Sequence, residues 1–264
     1  MIGRITGINK SGFAFLIGEL VSHAANPAHV DYLPDHPLPG SAQEQAELTE
    51  VLMLREYRDN PAGLVCAQDL GRRRPVSRLL PPMQTGRELA LFFAPRVTST
   101  LYRQLFNQYL AESVMSPQVR AHMQMCLNLA LEGAAQLVRQ YQWRCRHLDL
   151  LRTRARPREL DGTLVTLMNT TVSSYPMRCS VSAGAASMMA AHCFPQQREE
   201  WANLADNVGM ARLWAGVNYR SEHVHGLRLG QALAARLPWP WPLTVIDERY
   251  QPLPRQAQPE RVRG

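Results

Sequence analysis

The chain has 264 residues, a formal net charge of +7 and a hydrophobic fraction of 45%, which suits a globular protein with a buried core. No apolar run approaches the ~20 residues that a transmembrane helix needs, so we predict no membrane span. The arginines are dispersed along the chain, so we predict no nucleic-acid partner. Five cysteines without CxxC spacing predict neither a zinc site nor a disulfide framework.

Residues 1–30 allow two interpretations. Residues 13–21 form a short apolar run after Arg4 and Lys10, as in a secretory signal, but Glu19 interrupts the run. The segment is either a targeting segment of a periplasmic or secreted protein, or an N-terminal helix of a cytoplasmic one. We expect residues 31–237 to form a helical domain. The proline-rich, basic residues 238–264 should form a mobile tail.

Helical spacing of apolar residues predicts the first elements of this domain. Ser41 followed by Glu44 is a capping box, which opens a helix that continues to about residue 58. Residues 59–84 are rich in proline and glycine and predict a solvated connector, with a loop over a pocket mouth as the alternative. Further helices are predicted at about 86–93 and 99–115.

Ser116 and Pro117 open a long core helix, because serine is a favoured N-cap and proline a favoured first helical residue. His122 lies off its apolar stripe and should be exposed, whereas Cys126 should be buried as a small hydrophobe. The stripe continues for about seven turns. Its members are Val119, Met123, Cys126, Leu127, Ala130, Ala134, Val138 and Tyr141.

The last third of the domain contains a predicted loop at 161–174, followed by three helices at about 179–193, 197–217 and 221–236. The first of these helices is rich in alanine and serine, so its backbone can pack closely against its neighbours. Cys193, near its end, should be another small buried hydrophobe. All strong periodicity is helical, so we predict an all-α fold, a helical bundle.

Three segments of the chain have a specific spacing that resembles a known signature. In the first segment, six residues separate Asp149 from Arg156-Pro157. The second segment is residues 176–179 (Pro-Met-Arg-Cys). In the third, five residues separate Arg212 from Asn218, and three more separate Asn218 from Glu222. The three segments resemble the signature of the type 2 phosphatidic acid phosphatases, bacterial class A acid phosphatases and vanadium haloperoxidases. In that family the first segment is a Lys followed after six residues by Arg-Pro, and the second is Pro-Ser-Gly-His. The third is Ser-Arg, followed after five residues by His and after three more by Asp. The resemblance implies an all-α bundle around a phosphate or vanadate pocket.

The resemblance assigns binding positions to five residues. Arg156 and Arg212 stand at the two arginines that clamp the oxyanion in the family. Asp149 stands where the family has lysine, a change of two charge units that would oppose a bound phosphate. We expect Asp149 to pair with Arg156 or Arg212. Met177 and Arg178 replace the serine and glycine that would hydrogen-bond the phosphate.

The catalytic positions differ from the family in a more consequential way. Asn218 replaces the histidine that attacks phosphorus or binds vanadate, and an amide has no basic nitrogen to do either. We therefore predict no vanadate cofactor. Cys179 replaces the histidine that protonates the leaving group, and Glu222 replaces the aspartate that orients the attacking histidine. Cys179 is either an inert thiol or an acid or nucleophile whose pKa is lowered by Arg178 or a helix N-terminus.

Two further hypotheses concern groups near the motifs. Asp149, Cys179, Glu222 and a nearby histidine are plausible metal ligands, although no metal is predicted as a cofactor. His223 and His225 are two residues apart on one helix and point to different faces, so at most one can reach the pocket.

The motif residues predict a phosphatase-like or haloperoxidase-like protein whose phosphate-ester hydrolysis is lost or strongly altered. Such a pseudoenzyme would serve in binding, assembly or regulation, with a small molecule or phosphate-like ligand as its partner. Two alternatives stay open: a different reaction on a small hydrophobic molecule in the same cavity, and weak phosphomonoesterase activity through the retained arginines. The sequence also leaves a homo-oligomer open.

Overall fold

A computed structural model describes residues 37–61, 75–147, 154–170 and 175–237, without the side chains of residues 143–147. Within these ranges every regular element is helical, so the predicted all-α class is confirmed. The segment predicted at 1–30 and the tail at 238–264 lie outside the described residues. The α-helices are α1 (Ala42–Tyr57), α2 (Gly86–Phe93), α3 (Thr98–Glu112), α4 (Pro117–His147), α5 (Pro157–Leu160), α6 (Arg178–Cys193), α7 (Arg198–Trp214) and α8 (Arg220–Arg236).

The helix starts follow the capping signals in the sequence. The Ser41 hydroxyl accepts the N–H of Glu44 at 3.2 Å to begin α1. The Thr85 hydroxyl caps α2 in the same way, and Ser116 accepts the N–H of Val119 at 3.3 Å at the start of α4. These bonds satisfy amide groups that have no partner within the helix. The predicted starts of α1 and α4 are therefore confirmed.

The fold is organised around α6, which contacts α3, α4, α7 and α8. Every residue of α6 from 180 to 191 is buried. Gly184 faces the backbone carbonyl of Leu227, and Gly230 of α8 faces the carbonyl of Val181, each so closely that a Cβ atom would clash. The small residues of α6 thus bring two helix backbones together, as their composition predicted.

The apolar stripe of α4 is buried only in its central part. Residues 126, 127, 130, 134 and 138 are buried, but Val119 is 43% exposed and Tyr141 is half-buried. A helix of 31 residues is about 46 Å long, and among its described side chains only the central ones are covered by neighbouring helices. His122 is also half-buried, 3.6 Å from the Cys126 sulfur, so its predicted exposure is wrong. Within the described ranges, no helix is long and apolar enough to span a bilayer.

The described second part of the predicted connector, residues 75–84, contains no helix and is partly exposed, but two of its residues are buried. Ser77 is buried; its N–H donates to the Asn207 side chain at 2.8 Å, and its hydroxyl donates to the Glu200 carbonyl at 2.9 Å. Residues 75–80 therefore pack against α7 instead of crossing solvent. Residues 62–74 lie outside the described part of the chain.

Several predicted boundaries differ from the observed ones. Helix α7 ends at Trp214 and not near residue 217, because Gly216 adopts a φ of 75°, a left-handed conformation that stops the helix. Helix α3 ends at Glu112, and the single turn of α5 lies in a segment without a predicted element. The predicted loop at 161–174 is free of helix as far as residue 170, where its description ends. Cys193 is half-buried at the end of α6.

The close contact of α6 with α8 yields a stability prediction. Gly184→Ala should destabilise the protein by about 1–3 kcal/mol, because the added methyl must displace the Leu227 carbonyl. A thermal melt should show a loss of roughly 2–4 °C per kcal/mol. Gly162→Ala is the matched control, since a Cβ there meets nothing within 4 Å. Equal melting temperatures for the two variants would contradict the proposed close contact.

Candidate functional site

A cavity of about 600 Å³ lies where the ends of several helices meet beside α4. The first turns of α3 and α6, the last turn of α7 and the α7–α8 loop form its walls. Glu222 lies behind Asn218 and outside the lining, and Asp149 lies outside the described residues. The other predicted site residues all line the cavity: Arg156, Met177, Arg178, Cys179, Arg212 and Asn218.

The charge of this lining is strongly positive. Among the described residues, Glu132 is the one acidic residue that lines the cavity, and it is paired with Arg103 at 3.2 Å. Such a concave surface of one sign attracts anions. The predicted pairing of Asp149 with an arginine stays a prediction, because Asp149 is not described. The basic lining residues are Arg96, Arg139, Arg156, Arg178 and Arg212.

A hydrogen-bonded chain of three side chains begins at the floor of the cavity, with Arg212 and Asn218 in the lining and Glu222 behind them. The Arg212 Nε donates to Asn218 Oδ1 at 2.7 Å, and Asn218 Nδ2 donates to Glu222 Oε2 at 2.7 Å. Glu222 is 0% exposed and also accepts the Tyr219 N–H at 3.1 Å. The carboxylate therefore orients the residue at position 218, as the resemblance implies. The amide nitrogen of Asn218 has no basic lone pair for a vanadate ion and already donates to Glu222, so the site does not fit that cofactor.

Arg156 is fixed beside this chain. Its Nη1 donates to the Val217 carbonyl at 3.0 Å, and its own N–H donates to Glu159 Oε2 at 2.7 Å. Burial lowers the pKa of its guanidinium; Glu222 opposes this shift, and Arg212 adds to it. The group remains a cation at neutral pH. Two guanidinium groups are thus held near one another at half-buried positions.

Helices α3 and α6 both begin at the cavity, and neither has a side-chain cap. The N-cap residues are Val97 and Met177, whose side chains have no oxygen that could accept an N–H of the first turn. The positive end of each helix dipole and its first amide groups therefore lie in the cavity wall. Sequence analysis missed the wall formed by α3. An apolar residue at an N-cap was the signal that could have indicated it.

The Cys179 thiol is not activated. Burial raises its pKa above the usual range, although Arg212 opposes the shift. The thiol is therefore protonated at neutral pH, contrary to the hypothesis that Arg178 or the helix N-terminus makes it a nucleophile. The observed environment matches the inert thiol.

Neither neighbouring histidine lines the cavity. His223 is 0% exposed and lies between the Ser180 hydroxyl, at 2.8 Å, and Asp206 Oδ1, at 3.2 Å. These bonds join α6, α7 and α8 inside the core. His225 is bonded to the Tyr175 hydroxyl at 3.0 Å, and burial lowers its pKa to about 4, so it is neutral at physiological pH.

The metal hypothesis gains no support from the described residues. Among them, no group of three or more His, Cys, Asp or Glu side chains is arranged to hold a metal ion. Cys179 lines the cavity, whereas Glu222 is turned towards Asn218. The third proposed ligand, Asp149, lies outside the described residues.

Arg154, a buried cation that sequence analysis missed, holds the segment next to the site in place. The Arg154 side chain is 0% exposed and donates to Glu47 at 2.5 Å and to the Ser221 hydroxyl at 2.9 Å. Its guanidinium lies 3.7 Å from the centre of the Tyr219 ring. Arg154 thereby ties the segment that contains Arg156 to α1 and to the start of α8.

Comparison with known proteins leaves the family open. No protein-family model matches the chain, and no curated protein is significantly similar in sequence. The resemblance to the phosphatases and haloperoxidases therefore rests on residue spacing. Six of its eight positions line one cavity, Glu222 lies behind Asn218, and Asp149 is not described.

The Arg154 contacts can be tested by Arg154→Met. Removing the cation leaves Glu47 without its buried partner, and we expect a loss of about 3 kcal/mol in the free energy of unfolding. Chemical denaturation measures this loss. Arg158→Met, an exposed position two residues after Arg156, should change stability by less than about 0.5 kcal/mol. Similar midpoints for both variants would show that Arg154 has no such role.

Proposed function

We propose that the protein binds a phosphate-like anion in the cavity and does not hydrolyse phosphate esters. The observation that carries this proposal is the lining of five arginines, two of which stand on the cavity floor beside Asn218. The spacing of the motif residues supports the same ligand class, since it resembles that of proteins with an oxyanion pocket.

Binding is favoured by the charge balance of the floor. Arg156 and Arg212 are half-buried, and their mutual repulsion is relieved when an anion lies between them. Each hydrogen bond from a guanidinium to a charged oxygen contributes roughly 1.5–3 kcal/mol. The uncapped start of α6 adds backbone N–H donors and a positive helix end, a common arrangement for phosphate.

Turnover is disfavoured because the residues at the catalytic positions cannot perform the chemistry. Phosphoryl transfer through an enzyme intermediate needs a nucleophile and a proton donor for the leaving group. Asn218 has no basic nitrogen, and its amide is bonded at both ends. The Cys179 thiol is held protonated by burial. Glu222 already accepts two hydrogen bonds and lies outside the lining, so it cannot activate water in the cavity.

Anion binding is tested by calorimetry with inorganic phosphate and methylphosphonate. Arg212→Gln should weaken binding at least about tenfold, which corresponds to about 1.4 kcal/mol. Arg236→Gln, an exposed change in the last turn of α8, is the control and should leave the affinity unchanged. The absence of any binding to the wild-type protein would refute the proposal.

Loss of hydrolysis is tested with a chromogenic phosphate ester. We expect no turnover above the uncatalysed rate by the wild-type protein. Turnover that Arg212→Ala abolishes would instead establish the weak phosphomonoesterase alternative. Turnover that survives this substitution would point to a contaminating enzyme, and the assay would then be repeated on protein purified to constant specific activity.

The resemblance itself is tested by restoring the family's residues. The triple variant Asp149→Lys, Cys179→His, Asn218→His should gain phosphate-ester hydrolysis. Glu222 Oε2, now 2.7 Å from Asn218 Nδ2, would accept the Nδ1–H of an imidazole and leave its other nitrogen basic. The double variant that keeps Asn218 should stay inactive. A folded triple variant that binds phosphate but shows no hydrolysis would count against the family assignment.

A further inference from the structure

We propose that the ligand of this cavity has two neighbouring anionic groups, as in a diphosphate or a small bisphosphate. One group would bind at the floor, formed by Arg156 and Arg212, and the other at a rim formed by Arg96, Arg139 and Arg178. This inference rests on the proposed function, because it assigns the first group to the same floor.

The cavity is larger than one tetrahedral anion requires. Its volume of about 600 Å³ corresponds to roughly 20 water molecules at ~30 Å³ each. An inorganic phosphate ion has only five heavy atoms and would fill a small part of this space. The volume is instead typical of pockets for organic ligands, which lie at about 300–1,000 Å³.

The rim differs from the floor in exposure and in partners. The floor arginines are half-buried, whereas the rim arginines are exposed. Within the described residues, the side chains of Arg139 and Arg178 form no hydrogen bond or ion pair. Glu132, one to two turns before Arg139 on the same face of α4, is paired with Arg103 and does not offset the rim charge.

Arg96, the third arginine of the rim, is held in position by Phe92. Its guanidinium lies 3.8 Å from the centre of the Phe92 ring and also donates to the Phe92 carbonyl. It stands beside the uncapped first turn of α3, where Thr98 and Ser99 line the cavity. The helix end and the fixed cation therefore act on the same part of the cavity.

The charge balance favours two anionic groups over one. A phosphate dianion on the floor would neutralise Arg156 and Arg212 but leave the rim charges uncompensated. A second anionic group on the same molecule offsets them, at a small further cost because the two groups bind together. The two sites are thereby occupied as a unit.

The test compares methylenediphosphonate with methylphosphonate by calorimetry on the full-length protein, in about 0.15 M salt to screen non-specific attraction. Both probes lack a hydrolysable phosphate bond. We expect the diphosphonate to bind at least about tenfold more tightly. Arg139→Gln should weaken binding of the diphosphonate more than binding of methylphosphonate, and so reduce this advantage. Arg156→Gln should weaken both probes.

Arg120→Gln is the matched control, because Arg120 is on α4 but does not line the cavity. It should leave both affinities unchanged. Equal affinities for the two probes in the wild-type protein would overturn the two-group ligand while leaving the proposed function intact. The two-group ligand would also be overturned if the diphosphonate still bound more tightly after Arg139 and Arg96 were both changed to glutamine. Failure of both probes to bind would instead refute the proposed function itself.

Discussion

The close approach of α6 and α8 is the constraint on which the site depends. Gly184 and Gly230 allow each backbone to lie against the other, and the Met177 N–H donates to the Glu222 carbonyl at 3.4 Å where the two helices start. The first turn of α6 and the loop before α8 are therefore held side by side. A wider spacing would separate Cys179 from Asn218 and open the floor of the cavity.

The contacts that position residue 218 at the floor of the cavity do not depend on its chemical reactivity. Glu222 orients residue 218, and Arg212 contacts the same residue. This arrangement forms although the side chain at position 218 has no basic nitrogen. Asparagine suits this geometry because its amide donates to the carboxylate and accepts from the guanidinium at once, so that no buried polar group of its side chain is left unpaired.

The fold and the floor of the site could be predicted because their signals are local in the sequence. Ser116 and the spacing of the apolar residues predict α4, and motif spacing alone selected Arg156, Arg212 and Asn218. The rest depends on contacts between distant segments. Nothing near Arg154 indicates that Glu47, 107 residues earlier, will be its partner, and no periodicity shows that Ser77 will bond to α7. Tertiary contacts of this kind decide which arginines are buried and which face the cavity.

The side chains of Ser180, His223 and Asp206 are joined in the order of a serine hydrolase triad, but the imidazole is reversed, with Nδ1 towards Ser180 and Nε2 towards Asp206, and the group is sealed in the core. Ser180 and His223 are 0% exposed and Asp206 is 1% exposed, so no acyl group can reach the serine oxygen. Access for a substrate and the orientation of the imidazole both separate this structural network from a catalytic one.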